Sequence, residues 1–175
     1  KHFSENYFES KNGCEVKSVT MSSPGDREIT SVNGNHEKTY DDVWWIQSYS
    51  KTFNNFPQNI KKFFPNVEIV DIYNANITTL TKSDMAPLGS QLRTLFFVLN
   101  PIEVLEEGLF DENPNLEVIF LNKNEIKFVA RGVFDKLPKL TTLNLNNNPC
   151  HSSGYADNDR DAVLTLIKQI EGKCQ

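Results

Sequence analysis

The chain has 175 residues, with 18 Lys and Arg against 23 Asp and Glu, for a formal net charge of −5. That length supports one cooperative unit with a real core, and the negative balance is the wrong sign for holding a phosphate backbone, which argues against a nucleic-acid partner. The longest apolar run, residues 95–99, falls far short of the ~20 residues that span a bilayer, so no membrane span is expected.

From the N-terminus, Lys1, His2, Phe3 and Ser4 offer neither an initiator Met nor an apolar leader core, as expected of a processed chain. Cys14, Val16, Val19 and Met21 predict a strand, and Ile29 and Val32 a partial repeat ending in a turn at Asn33 and Gly34. Residues 22–26 and 33–42 read as polar loops.

Beyond residue 42 the chain repeats itself. Leu140, Leu143, Leu145 and Asn148 stand over Leu116, Ile119, Leu121 and Asn124 at a shift of 24 residues, and these stand over Leu92, Leu95, Phe97 and Asn100 at the same shift. The second halves agree too, Phe134 falling on Phe110 and Ile126 on Ile102. A shift of 25 reaches a degenerate unit of Val67, Val70 and Ile72 with Ala75 where the Asn should stand; a further 24 reaches Val43 and Ile46 with Lys51 there. In each of five units a short strand and a looser return segment point apolar side chains to one interior, and stacking joins the strands into a parallel sheet. The turn after each strand needs buried backbone groups paired, so Asn100, Asn124 and Asn148 are expected to form an internal ladder.

After Pro149 and Cys150 comes a predicted helix, with Asp159 or Asp161 as N-cap, Val163, Leu164, Leu166, Ile167 and Ile170 as its apolar positions and Gly172 as its stop. Residues 1–42 are thus assigned to an N-terminal cap, 43–148 to five repeats and 149–175 to a C-terminal cap, because a solenoid cut at either end would expose its core.

These units resemble the leucine-rich repeat family in its extracellular 24-residue subclass, and are similar to small secreted insect members of it. The resemblance implies an α/β repeat solenoid, a short curved horseshoe with a parallel concave sheet, an N-terminal β cap and a C-terminal helical cap. It also implies a secreted binding module, in defence or at a cell surface. Cys150 and Cys174 resemble the family's C-terminal cysteine flank, with two cysteines where many members have four; such a disulfide would contribute about 3 kcal/mol. Reduced buried thiols are the alternative. Cys14 is left odd: paired upstream of residue 1, free, or joining two chains.

Catalysis has little to stand on, since His2, His36 and His151 fall in predicted loops or termini with no nucleophile beside them. Asp157, Asp159 and Asp161 imitate calcium-loop spacing, but Ala162 stands where Gly is needed and Lys168 where Glu is needed. No enzyme activity, metal or cofactor is expected. The informative positions are those alternating outward from each strand. Trp45, Tyr49, Ile69, Tyr73, Phe96, Val98, Val118 and Phe120 make the outward face aromatic and apolar where a solvated face should be polar; Thr142, Asn144 and Asn146 make the fifth unit polar. Such a patch marks an interface. The expected partner is a protein, or a second copy meeting face to face; a structural self-assembling protein and a carrier or inhibitor with a small apolar ligand are the alternatives. Asn76, followed by Ile77 and Thr78, is the only N-x-S/T sequon and a candidate glycosylation site in a secreted chain.

Overall fold

The computed structural model describes residues 14–21, 27–36, 40–49 and 53–174. Its centre is a six-stranded sheet built from β3 (Trp45–Ser48), β4 (Ile69–Tyr73), β5 (Thr94–Val98), β7 (Val118–Phe120), β9 (Thr142–Asn144) and β10 (Tyr155–Ala156). The first five lie side by side in chain order and parallel, Trp45 opposite Ile69, Ile69 opposite Thr94, Thr94 opposite Val118 and Val118 opposite Thr142. Each neighbour is therefore one repeat away. The repeat supplies the crossover that parallel pairing demands, and one residue from every strand position reaches the same place in the next unit.

The alternation within the strands sorts the side chains. Ile46, Val70, Ile72, Leu95, Phe97, Ile119, Leu121, Leu143 and Leu145 are buried on the inner face. The return segments bring Phe56, Phe64, Leu80, Met85, Leu109, Phe110, Val133 and Phe134 to meet them, with Phe110 and Phe134 stacked at 6.0 Å between ring centroids. In the first two units those segments include the short helices α1 (Ile60–Phe63) and α2 (Lys82–Met85), and in the later units they are hydrogen-bonded turns. Thr81 and Asp84 close α2 with a reciprocal capping box. The extra residue of the second unit is absorbed in the 3₁₀ stretch Ala86–Gln91, where Gly89 takes a φ of 61° that a side chain would resist. Asn113, wholly buried, ties that stretch to the next unit by donating to the Met85 and Gly89 carbonyls. On the opposite side of the core a two-stranded parallel sheet joins β6 (Val104–Leu105) to β8 (Phe128–Val129).

The asparagines pair backward along the solenoid. Asn124 Oδ1 accepts from the Asn100 backbone N–H at 2.6 Å, while its Nδ2 donates to the Phe97 carbonyl at 2.8 Å and the Leu121 carbonyl at 2.9 Å. Asn148 likewise accepts from Ile126 N–H and donates to Leu121. Asn100 Oδ1 accepts from the N–H groups of Ala75 and Ile77. Each carboxamide thus serves the turn of the unit before its own.

The N-terminal region departs from the reading given above. β1 (Cys14–Met21) pairs antiparallel with β2 (Ile29–His36) in place of the expected partial repeat, and the pairing continues past Asn33, opposite Ser18, and Gly34, opposite Val16, with a register shift between Val16 and Ser18. The expected turn there is a strand instead, because a full-length neighbour offers its backbone hydrogen bonds and outweighs local turn propensity. His36 consequently ends a strand rather than lying in a loop. The segment joins the sheet region through backbone pairing of Arg27 and Ile29 with Gln58, and through an ion pair from Arg27 Nη1 to the buried Asp84 carboxylate at 3.1 Å. The expected loop at 22–26, the Asn position at Lys51 and the thiol of Cys14 fall outside the described residues and side chains.

At the other end β10 lies antiparallel on the outer edge of β9, Tyr155 opposite Asn144. Helix α3 (Arg160–Lys173) follows, with Asp159 as N-cap accepting from the N–H groups of Asp161 and Ala162. It continues through Gly172, which does not stop it, and Cys174 then forms a disulfide with Cys150 across a Cα separation of 5.0 Å. The Cys174 carbonyl accepts from Val129 N–H, which seats the helix end on the small sheet.

Candidate functional site

The outer face of the six-stranded sheet carries three rows of side chains set by strand register. One row runs Trp45, Ile69, Thr94, Val118 and Thr142. The middle row runs Gln47, Asp71, Phe96, Phe120, Asn144 and Tyr155. In the third, Tyr73 lies opposite Val98, with Tyr49 beside Tyr73 at 5.6 Å between centroids. All eight candidates named from the sequence therefore share one face. Seven are half-buried against one another, and Tyr49 is 60% exposed.

The apolar side chains concentrate in the middle of the face. Phe96 and Phe120 lie 5.1 Å apart, and Phe120 meets Tyr155 at 6.2 Å, distances at which tilted aromatic pairs attract. Tyr155 is 47% exposed and belongs to no repeat. Its phenol titrates above the ordinary tyrosine range, first because its ring is partly desolvated against the sheet and then because it hydrogen-bonds to Asp157; the hydroxyl thus stays protonated at neutral pH. At the other end of the row the Gln47 amide donates to Asp71 Oδ2 at 2.6 Å and contacts the Tyr49 hydroxyl, so the polar end of the face is a connected group of side chains.

The fifth unit differs from expectation. Thr142 and Asn144, read as polar solvent-facing positions, are 5% and 9% exposed. β10 pairs along them; the residues after it serve Thr142, whose Oγ1 donates to Asp157 Oδ1 at 3.2 Å and accepts from Asn158 N–H, while Asn144 Oδ1 accepts from Asn146 N–H of its own turn. Polarity here serves closure of the sheet edge rather than solvation.

Two further features went unread in the sequence. Tyr155 lies outside the 24-residue period, so no alignment of units could place it beside Phe120. Val104 and Phe128, 48% and 41% exposed, sit opposite each other on the small sheet; their 24-residue separation was a usable signal. Beside them opens a cavity of about 530 Å³ lined by Thr78, Thr81, Pro101, Glu103, Val104 and Glu125 among others. Ion pairs run between units elsewhere on the surface: Arg93 spans Glu68 and Glu117, and Asp111 receives both Lys82 and Lys136. Among the described residues no group of three or more His, Cys, Asp and Glu is arranged to hold a metal, and no helix is long and apolar enough to cross a membrane.

The sequence pattern of the leucine rich repeat family matches residues 90–149, the three regular units. That match and the parallel sheet in chain order fit an α/β repeat solenoid. Among solved structures, a chain of the Toll–Spatzle complex, described as a molecular hub in Drosophila development and innate immunity, aligns with a TM-score of 0.51 at 23% identity, over 57% of this chain and 13% of that one. The likeness is one of fold, and this chain spans a small part of that relative's length. A chain of the Drosophila melanogaster SNF/U2A' complex aligns with a TM-score of 0.48 at 18% identity, over 72% of this chain and 67% of that one. No curated protein matches the chain.

Proposed function

We propose that the chain is a secreted, non-enzymatic recognition module that binds a protein partner on the concave, outer face of its sheet. The observation that carries this reading is the aromatic row Phe96, Phe120 and Tyr155, flanked by Ile69, Tyr73, Val98 and Val118. Rigid rings with few rotatable bonds offer large contact area at low entropic cost, and such residues dominate binding energy where interfaces have been dissected. The disulfide of Cys150 with Cys174 favours an oxidising compartment. Closure of the sheet edge by β10 adds Tyr155 to the contact set.

The test is solution mass by light scattering at micromolar concentration, for wild type and for the double variant Phe96→Asp with Phe120→Asp. A wild-type monomer whose partner, isolated from the secreted fluid of the source, fails to bind the folded double variant supports recognition. A wild-type dimer that the double variant dissociates assigns the face to self-association instead, and undiminished partner binding by the double variant removes the face from the function.

A further inference from the structure

Three residues past β4 the chain presents Asn76, Ile77 and Thr78. Asn76 and Thr78 are exposed while Ile77 between them is fully buried. The backbone on both sides of Asn76 is fixed, because the N–H groups of Ala75 and Ile77 both donate to Asn100 Oδ1, at 3.0 and 3.3 Å. Asn76 itself takes a φ of 56°, a left-handed conformation that asparagine tolerates better than other side-chain-bearing residues. The result is a rigid turn that holds the Asn76 carboxamide and the Thr78 hydroxyl on the outside of the molecule.

We propose that Asn76 is an N-glycan acceptor. In the transfer, Nδ2 bonds the anomeric carbon of an oligosaccharide carried on a polyisoprenoid pyrophosphate. The sugar–phosphate bond breaks, the pyrophosphate departs with its lipid, and one Nδ2 proton passes to a base of the transferring enzyme. Asn76 Nδ2 donates to Asn54 Oδ1 at 2.6 Å on the exposed surface, and a primary carboxamide carries two N–H groups; attachment consumes one and leaves one N–H as a donor.

The location agrees with the binding face. Asn76 lies past the C-terminal end of β4, at the strand-end edge of the sheet, whereas Phe96, Phe120 and Tyr155 occupy the middle row. A glycan at that edge leaves the face open and restricts a partner to approach over it or from the strand-start edge, where Glu68, Arg93 and Glu117 form their ion-pair run.

The inference rests on passage through a eukaryotic secretory pathway, so its test supplies that passage: the full chain, with a secretory leader added, is expressed in insect cells. Mass spectrometry before and after peptide-N-glycosidase treatment should show the loss of one glycan from wild type and from Thr78→Ser, with conversion of residue 76 to Asp. Asn76→Gln and Thr78→Ala should show no change. A secreted wild-type chain of unmodified mass, or an Asn76→Gln variant that keeps the full shift, overturns the proposal. The cellular location of the chain with its natural leader, assayed separately, tests the secreted reading alone.

Discussion

The regular units around β5, β7 and β9 and the irregular ones around β3 and β4 reach the same parallel sheet by different means. In the regular part the turns after β5 and β7 are each served by an asparagine of the next unit, and Phe110 stacks on Phe134 beneath. The second unit carries Ala75 and Met85 at the corresponding places, both fully buried. It holds because Asn100 reaches back to Ala75 and Ile77, and because Arg27 and Asn113 fasten its return segment from either side. The lesson concerns direction: each asparagine binds a carbonyl of its own turn and also reaches back to the unit before it, so the turn at Ala75 lacks its own carboxamide yet keeps the one that Asn100 supplies.

Substitutions can break or sharpen that contrast. The largest effect is expected from Phe134→Ala, which leaves a cavity under the regular part and should cost about 3–5 kcal/mol in urea unfolding; a loss below about 1 kcal/mol would mean the stacked pair does not anchor that half. Asn124→Ala strips a partner from the Asn100 N–H and the Phe97 carbonyl, while the Leu121 carbonyl keeps its bond from Asn148 Nδ2. It should cost about 3 kcal/mol, and amide exchange should rise first at Asn100, in the preceding unit. Faster exchange confined to the Asn124 turn would contradict the backward pairing.

A smaller effect tests the turn residues just before the ladder. Asn74, Leu99, Lys123 and Asn147 all take φ between 53° and 59°, and two of the four already use asparagine. Leu99→Asn should relieve left-handed strain and raise the thermal midpoint by about 1–2 °C; a fall would show that packing of the Leu99 side chain outweighs its backbone cost.

The smallest effect links the two parts electrostatically. Hydrogen bonds from Lys136 and then Lys82 hold the Asp111 carboxyl below its ordinary pKa, so its folded-state pKa lies below the unfolded one. Its contribution is full above the ordinary aspartate range and disappears as pH falls through the folded-state value. Urea midpoints of wild type and Asp111→Asn should therefore differ slightly at neutral pH and converge as pH falls below the ordinary aspartate range. A gap that persists in acid would assign the role of Asp111 to packing.

Much of the architecture was legible because it repeats. Leu95, Ile119 and Leu143 declare their common row by spacing alone, and the outward positions Phe96 and Phe120 follow by alternation. What the period did not contain was invisible. Tyr155 joins the aromatic row only because β10 turns back antiparallel onto β9, and the two-residue strand has too little pattern of its own to announce itself. Thr142 and Asn144 looked like a solvated surface for the same reason. At the other end Asn33 and Gly34 carry turn residues, yet pairing with Val16 and Ser18 keeps them extended.

The sequence by itself therefore determined the solenoid: its 24-residue period, the side of each strand that faces the core, the asparagine positions and the aromatic character of the outer face. These follow from local alternation repeated at fixed spacing, which needs no knowledge of distant contacts. Only the tertiary structure decided how the sheet ends, which polar groups are buried by that closure, that Arg27 reaches Asp84, and that the last ring of the face comes from outside the repeats. Each of these is a single contact between residues far apart in the chain. Periodicity places equivalent positions side by side, but an unrepeated segment is placed only by the surface it finds.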